Sequence, residues 1–362
     1  MATARKTRIK VGVIGLGIIG SRVAANLRGS GHQVYVWSRS PHAAPNFLGS
    51  VVEVADLCDI IQVFVSDDTA LLEVVRTIAA ALSPRHLIAA HATVSPKAAR
   101  QAAAIVESQG ARYLDAPFTG SKMAAQNKQL NYYVGGTPEA LEEARPVLEV
   151  TARKVLHVGA VGDASVIKIA TNMLTAATVQ TLSEALALVR AAGIDGQRLA
   201  DALEFNGSRS GTSDLKLPAM LTENFDPNFS LKHMLKDVRL ALGLAEERKI
   251  PTPVSSAMEK VFAEGMEKQW GDLDFAVVSR QYDGFLPPRP APAPVDKTEP
   301  GPSTADVASA PSEKSAAPSD PAPVAVSSEA PAPTGPAPIG GTGSDQPKKN
   351  TLRILRDFFK PA

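Results

Sequence analysis

Lys168 and Asn172 stand four residues apart in GDASVIKIATNM, residues 162–173, a stretch otherwise built from Ala, Val, Ile and Met. Four residues on a helix is about one turn, so an amine and an amide would share one side. An ammonium can protonate an oxygen that gains negative charge, and the same amine, once neutral, can take a proton back. The amide can hold that amine, or a substrate, without adding charge. On these two residues alone, a lysine whose stem lies on the apolar face while its head reaches water is the commoner arrangement. An asparagine bonded to a nearby carbonyl is nearly as ordinary.

A second cluster lies near the amino terminus. KVGVIG runs directly into GLGIIGSRVAANL, which sets Gly15, Gly17 and Gly20 in the spacing G-x-G-x-x-G. That spacing is weak alone; after a strand, opening a helix, it is specific for a dinucleotide cradle. Gly15 permits the tight turn, Gly17 lets backbone approach a pyrophosphate, and Gly20 lets the helix pack on the strand. The backbone N–H groups of the turn, through Leu16, Ile18 and Ile19, and the helix dipole favour an anion. The next strand, QVYVW, ends in Ser38-Arg39-Ser40. A NAD site usually places Asp or Glu there to accept from ribose hydroxyls. Arg39 can instead pair with a 2′-phosphate, with Ser38 and Ser40 donating beside it, so NADP is favoured and NAD is the alternative.

These residues need a frame. KVGVIG, QVYVW, DIIQVFV and RHLIAA read as strands separated by amphipathic segments, and LNYYVGG and RKVLHVG add further strand-like runs. That alternation predicts an α/β Rossmann-type domain with a parallel sheet over 1–160. Residues 161–285 are helical in pattern and predict an all-α domain. Its long helices are ASVIKIATNMLTAATVQTLSEALALVRAAG, SLKHMLKDVRLALGLAEERK and PVSSAMEKVFAEGMEKQW. From 286 to 349 the chain is dominated by Pro, Ala and Ser, which predicts a disordered tail. A short amphipathic segment, 350–362, closes it. Leu352, Leu355, Phe358 and Phe359 can share a face there, as expected of a peptide that docks a protein partner or another subunit, or of a frayed end.

Composition narrows the classes. Of 362 residues, 44% are hydrophobic and the net charge is +1, so neither nucleic acid nor an acidic membrane is the expected partner. The one cysteine, Cys58, cannot form an intrachain disulfide and reads as a small core residue. The six histidines have no metal-site spacing, and no metal is expected. No apolar run approaches the roughly 20 residues that span a bilayer, and the basic start MATARKTRIK lacks the core of a secretion signal. The cytoplasm is the expected location.

Several of these stretches together resemble the β-hydroxyacid dehydrogenase family, over about residues 8–280. GLGIIG matches its glycine turn, with Ile19 where the family usually has methionine. DAPFTGS, residues 115–121, matches its substrate-binding segment, with Thr119 for the usual serine. Gly162, Lys168 and Asn172 match its catalytic segment, and Lys236-Asp237 its late lysine-aspartate pair. TGSKMAAQNKQL, FSLKHMLKDVRLAL and GDLDFAVV are similar to the branch of glyoxylate and succinic semialdehyde reductases. HATVSP departs from the pattern: Ala90 and Ala92 stand where an Asp and a Ser are common, although Thr93 is kept. Imine reductases and a chromatin-associated relative share the fold but lack the lysine, which this chain retains.

The resemblance implies that Lys168 is the general acid of a carbonyl reduction, assisted by Asn172. It places Thr119, Gly120, Ser121 and Lys236 near the substrate, and Thr93 and Lys236 near the nicotinamide. The expected activity is NADP-dependent reduction of glyoxylate or a short-chain semialdehyde. The alternatives are a 3-hydroxyisobutyrate-type dehydrogenase working oxidatively, and a non-catalytic NADP-binding scaffold whose terminal peptide docks a partner. A homodimer or homotetramer is expected from the long apolar helices.

Overall fold

The register of the sheet explains where the chemistry sits. In the computed structural model, which describes residues 9–286, the strands are β1 (Lys10–Ile14), β2 (Gln33–Trp37), β3 (Ile60–Val63), β4 (Leu87–Ala90), β5 (Arg112–Asp115), β6 (Phe118–Thr119), β7 (Leu130–Gly135) and β8 (Ala152–Gly159). They lie in the order β2-β1-β3-β4-β5-β7-β6, with β8 beside β7. The first five strands in that order are parallel, and Ile14, Trp37, Val63, Ala90 and Asp115 pair in one row across their carboxyl ends. The next residue of each strand therefore opens a loop on the same edge: Gly15, Ser38, Phe64, His91 and Ala116. Parallel α/β sheets bind their ligands at that edge.

The expectation of a parallel sheet needs one amendment. β7 runs antiparallel to β5 and β6, and β8 is parallel to β7. The hairpin-like return after β5 is made by the two-residue β6, which the sequence patterns did not suggest.

Helices α1 (Gly20–Gly29), α2 (Val51–Leu57), α3 (Asp68–Ile78), α4 (Pro96–Glu107), α5 (Lys122–Gln126) and α6 (Pro138–Leu148) alternate with the strands. One core layer joins Ile61, Val63 and Ile88 to Val75 and Ala99; the other joins Val11, Val13 and Leu87 to Val23 and Leu141. Cys58 lies in the first layer, and burial pushes its thiol up to about 12, so it is an inert core residue.

Beyond Gly159 the chain turns helical: α7 (Asp163–Ala191), α8 (Gln197–Leu203), α9 (Gly211–Thr222), α10 (Leu231–Glu247) and α11 (Pro253–Glu267), followed by a 3₁₀ segment, Phe275–Phe285. All of this lies in one compact unit with the sheet. Ala176, Val179 and Leu186 of α7 pack against Met234 and Val238 of α10, Phe262 of α11, and Phe275. Among the described residues no helix is long and apolar enough to cross a membrane. The expectations for 287–362 lie outside the described residues.

Candidate active site

α7 is apolar over most of its circumference, and one side of it packs against α10, α11 and the 3₁₀ segment. Its hydroxyls are absorbed locally: Thr171 donates to the Lys168 carbonyl and Thr175 to that of Thr171. Lys168 is different. Its side chain is buried, and Nζ donates to Asn172 Oδ1 at 2.8 Å. Asn172 Nδ2 donates in turn to Asp237 Oδ2, 2.5 Å away on α10. The amide can face only one way, because the ammonium needs an oxygen and the carboxylate needs an N–H. Asp237 is 1% exposed. Its other oxygen lies 2.7 Å from Lys236 Nζ, which also donates to the Thr93 carbonyl at 2.5 Å. A continuous polar chain thus runs Lys168–Asn172–Asp237–Lys236–Thr93 from the helices to the carboxyl edge of the sheet.

The electrostatics follow from burial. Loss of solvent lowers the Lys168 amine to about 8; Asp237 opposes this and Lys236 adds to it. At pH 7 such an amine is still about nine-tenths protonated yet gives up its proton readily. It is therefore neither a snorkelling lysine nor a fixed cation.

Asp237 entered the sequence reading only as half of the Lys236-Asp237 pair, with no role of its own. Helical geometry turns it about 100° from Lys236 and into the interior. The Lys236 side of α10 instead borders an open depression of about 330 Å³ lined by Lys232, Leu235, Lys236, Arg239, Leu240 and Met266.

The glycine turn meets the requirements of a dinucleotide cradle. Gly15 has φ +96°, and a Cβ there would meet the Phe64 carbonyl oxygen at 2.0 Å. A Cβ on Gly20 would lie 2.0 Å from the Gly15 carbonyl oxygen. Neither position admits a side chain. A Cβ on Gly17 would meet nothing within 4 Å, so its backbone faces open space. The turn is closed by Gly15 N donating to Trp37 O at 2.8 Å. Leu16 is buried, Ile18 is exposed, and Ile19 precedes the first residue of α1. At the end of β2, Ser38 Oγ donates to the Ser40 carbonyl at 2.6 Å, which fixes the loop that presents Arg39 to solvent.

The segment Thr119-Gly120-Ser121 follows β5 along the same edge. Thr119 ends β6, Gly120 has φ +139°, and the Ser121 hydroxyl caps α5 by accepting from Ala124 N at 3.3 Å. Behind it, His91 is wholly buried. Its Nδ1 donates to the Ala116 carbonyl at 2.7 Å and its ring stacks on Phe64 at 4.4 Å. Burial lowers this imidazole to about 4, so it is neutral at pH 7.

Residues 10–159 match the NAD binding domain of 6-phosphogluconate dehydrogenase, and 162–282 match the NAD-binding domain of NADP-dependent 3-hydroxyisobutyrate dehydrogenase. Glyoxylate/succinic semialdehyde reductase 1 of Arabidopsis thaliana is 30% identical over 281 residues, covering 75% of this chain and 97% of that protein. Cytokine-like nuclear factor N-PAC of Mus musculus is 30% identical over 277 residues; the match again takes in 75% of this chain but only 51% of N-PAC, about half its length. A solved 3-hydroxyisobutyrate dehydrogenase from Mycobacterium tuberculosis, with L-serine, superposes with a TM-score of 0.70 at 28% identity, covering 76% of this chain and 99% of that one.

Proposed function

The chain belongs to the NAD(P)-dependent β-hydroxyacid dehydrogenase family, and from that premise we propose that it reduces glyoxylate or a short-chain semialdehyde with NADPH. The observation that supports this most is the buried Lys168 amine held by Asn172, with Asp237 behind it. NADPH, when bound, supplies the hydride that the carbonyl carbon receives. Lys168 Nζ gives a proton to the carbonyl oxygen as charge develops there. In the reverse direction the neutral amine takes the hydroxyl proton. Asn172 aims the amine, and Asp237 fixes the orientation of Asn172. Thr119, Gly120 and Ser121 bind the substrate carboxylate, with Lys236 as a second cation. The backbone of Gly15, Leu16, Gly17, Ile18, Ile19 and Gly20 holds the pyrophosphate. Thr93 borders the nicotinamide.

The test is NADPH consumption with glyoxylate, succinic semialdehyde, methylglyoxal and tartronate semialdehyde, and NADP reduction with 3-hydroxyisobutyrate. Turnover of glyoxylate or succinic semialdehyde above the others supports the proposal. Preferential oxidation of 3-hydroxyisobutyrate would favour the reading suggested by the mycobacterial neighbour. No turnover with any of them would favour a cofactor-binding scaffold.

Cofactor choice is assigned to Ser38, Arg39 and Ser40. Arg39 makes no ion pair with an acidic side chain among the described residues, so it is free for a 2′-phosphate. Arg39→Ala is expected to weaken NADPH binding by about 10–100-fold, the value of a charged hydrogen-bonded pair, and to leave NADH binding nearly unchanged. Fluorescence titration of both cofactors checks this; equal affinity for both in the unmodified protein would remove Arg39 from the site.

The same proposal includes a homodimer or homotetramer and a cytoplasmic location. Ile167, Leu174 and Leu188 are exposed on one side of α7, which supports burial against a second copy. It also includes a division of labour between a cofactor-binding part, residues 1–160, and a helical part, 161–285.

A further inference from the structure

The start of α7 lacks the side-chain cap found on the five helices just before it. α2, α3, α4, α5 and α6 each begin on a Ser, Asp or Thr whose side chain accepts a first-turn N–H. α7 begins on Gly162, which has no side chain to offer and φ +96°. Its acceptor comes from the sheet. Asp115, at the end of β5, accepts from Gly162 N at 3.1 Å and Ser165 N at 2.9 Å through Oδ2, and from the Ser165 hydroxyl at 3.1 Å through Oδ1. Asp115 is 1% exposed and Ser165 fully buried, so no water replaces these bonds cheaply.

Two things depend on that strand end. Lys168 follows Ser165 by less than one turn. The segment assigned to the substrate follows Asp115 directly, and it is held by Ala116 N on Ala90 O at 2.8 Å and Tyr133 N on Pro117 O at 2.9 Å. We infer that Asp115 is a positioning residue that fixes the height and rotation of α7 against the sheet, and so the point where the Lys168 amine meets the substrate oxygen. This rests on the role assigned to Lys168 above. Tyr113 and Asp163 face Asp115, the Arg100 guanidinium lies beside Gly162, and Asp237 and Lys236 face Lys168 from α10. Burial, the largest influence, pushes the Asp115 carboxyl up to about 6 against the hydrogen bonds from Ser165 and Gly162. What the helix start needs is an acceptor oxygen rather than a charge.

The test is turnover per site, with sites counted by bound NADPH, across pH. Asp115→Ala is expected to lose about 100-fold in kcat, the cost of misplacing a reacting group by about 1 Å, with NADPH affinity kept. The ionisation in its kcat profile should move away from the unmodified value of about 8. Asp115→Asn keeps an oxygen for both N–H groups and turns Nδ2 to Ser165 Oγ, so it is expected to stay within about threefold. Ser165→Ala spares the backbone bonds and should fold even if Asp115→Ala does not; about fivefold loss is expected, with the ionisation displaced. An unchanged per-site kcat and pH profile in Asp115→Ala, or in Ser165→Ala should the former not fold, would overturn the inference, even if melting temperature fell. So would a loss in Asp115→Asn as large as in Asp115→Ala. Failure of the Lys168 role shows itself separately, as an unmodified enzyme with no such ionisation.

Discussion

Lys168→Ala is expected to lose turnover by about 10³-fold, within the range of a positioned general acid, while NADPH still binds and the fold persists. The fold should persist because the amine contributes little to stability: it is buried at the expense of solvation, and one charge-assisted hydrogen bond to Asn172 offsets that cost only in part. Removing it leaves Asn172 Oδ1 without its donor, a cost of about 1–3 kcal/mol. Lys168→Arg should be nearly as slow as alanine. A guanidinium keeps the charge but does not release its proton near neutral pH. The measurement is kcat at saturating aldehyde and NADPH, alongside cofactor titration and thermal melting. Turnover within tenfold of the unmodified chain in both variants would take Lys168 out of the chemistry.

The second large effect concerns stability. Lys216 of α9 and Asp274 form an ion pair with both contacts at 2.7 Å and side chains 4% and 2% exposed. Asp274 also accepts from Asn228 N, Phe229 N and Ala276 N, and Lys216 Nζ lies 4.3 Å from the centre of the Phe275 ring. The carboxylate thereby ties the chain just before α10 to the 3₁₀ segment, and α10 brings Lys236 and Asp237 to the site. Lys216→Met removes the cation and strands a buried carboxylate, so a loss of about 3–5 kcal/mol is expected. For a unit of this size that lowers the melting temperature by roughly 10 °C. Adding Asp274→Asn should recover part of the loss, because the charge is gone while one oxygen still accepts N–H bonds. A single-variant loss below about 1 kcal/mol in chemical denaturation would contradict the role given to the pair.

The parts legible in the sequence were those with local signals. The glycine turn declared itself because Gly15, Gly17 and Gly20 meet three local steric demands. α7, α10 and α11 were read from long apolar patterns, and the helix spacing brought Lys168 and Asn172 together. What stayed hidden depends on contacts between distant segments. Asp237 acts through a residue 65 positions away, Asp115 caps a helix about 50 positions on, and Lys216 and Asp274 are 58 apart. β5, RYLD, is too short to show a pattern, and α8 and α9 are too mixed in composition. The antiparallel turn-back through β6 rests on Phe118 pairing with Tyr132 and Thr119 with Asn131. No period in the sequence announces that pairing.

The pH dependence of kcat for aldehyde reduction tests the central role of Lys168 most directly. Reduction uses the ammonium form, so kcat should be level below about 8 and fall about tenfold per unit above it. Oxidation of the product alcohol uses the neutral amine and should rise toward the same value, then level. A reduction rate limited by chemistry that stays flat from pH 6 to pH 10 would contradict proton donation by Lys168.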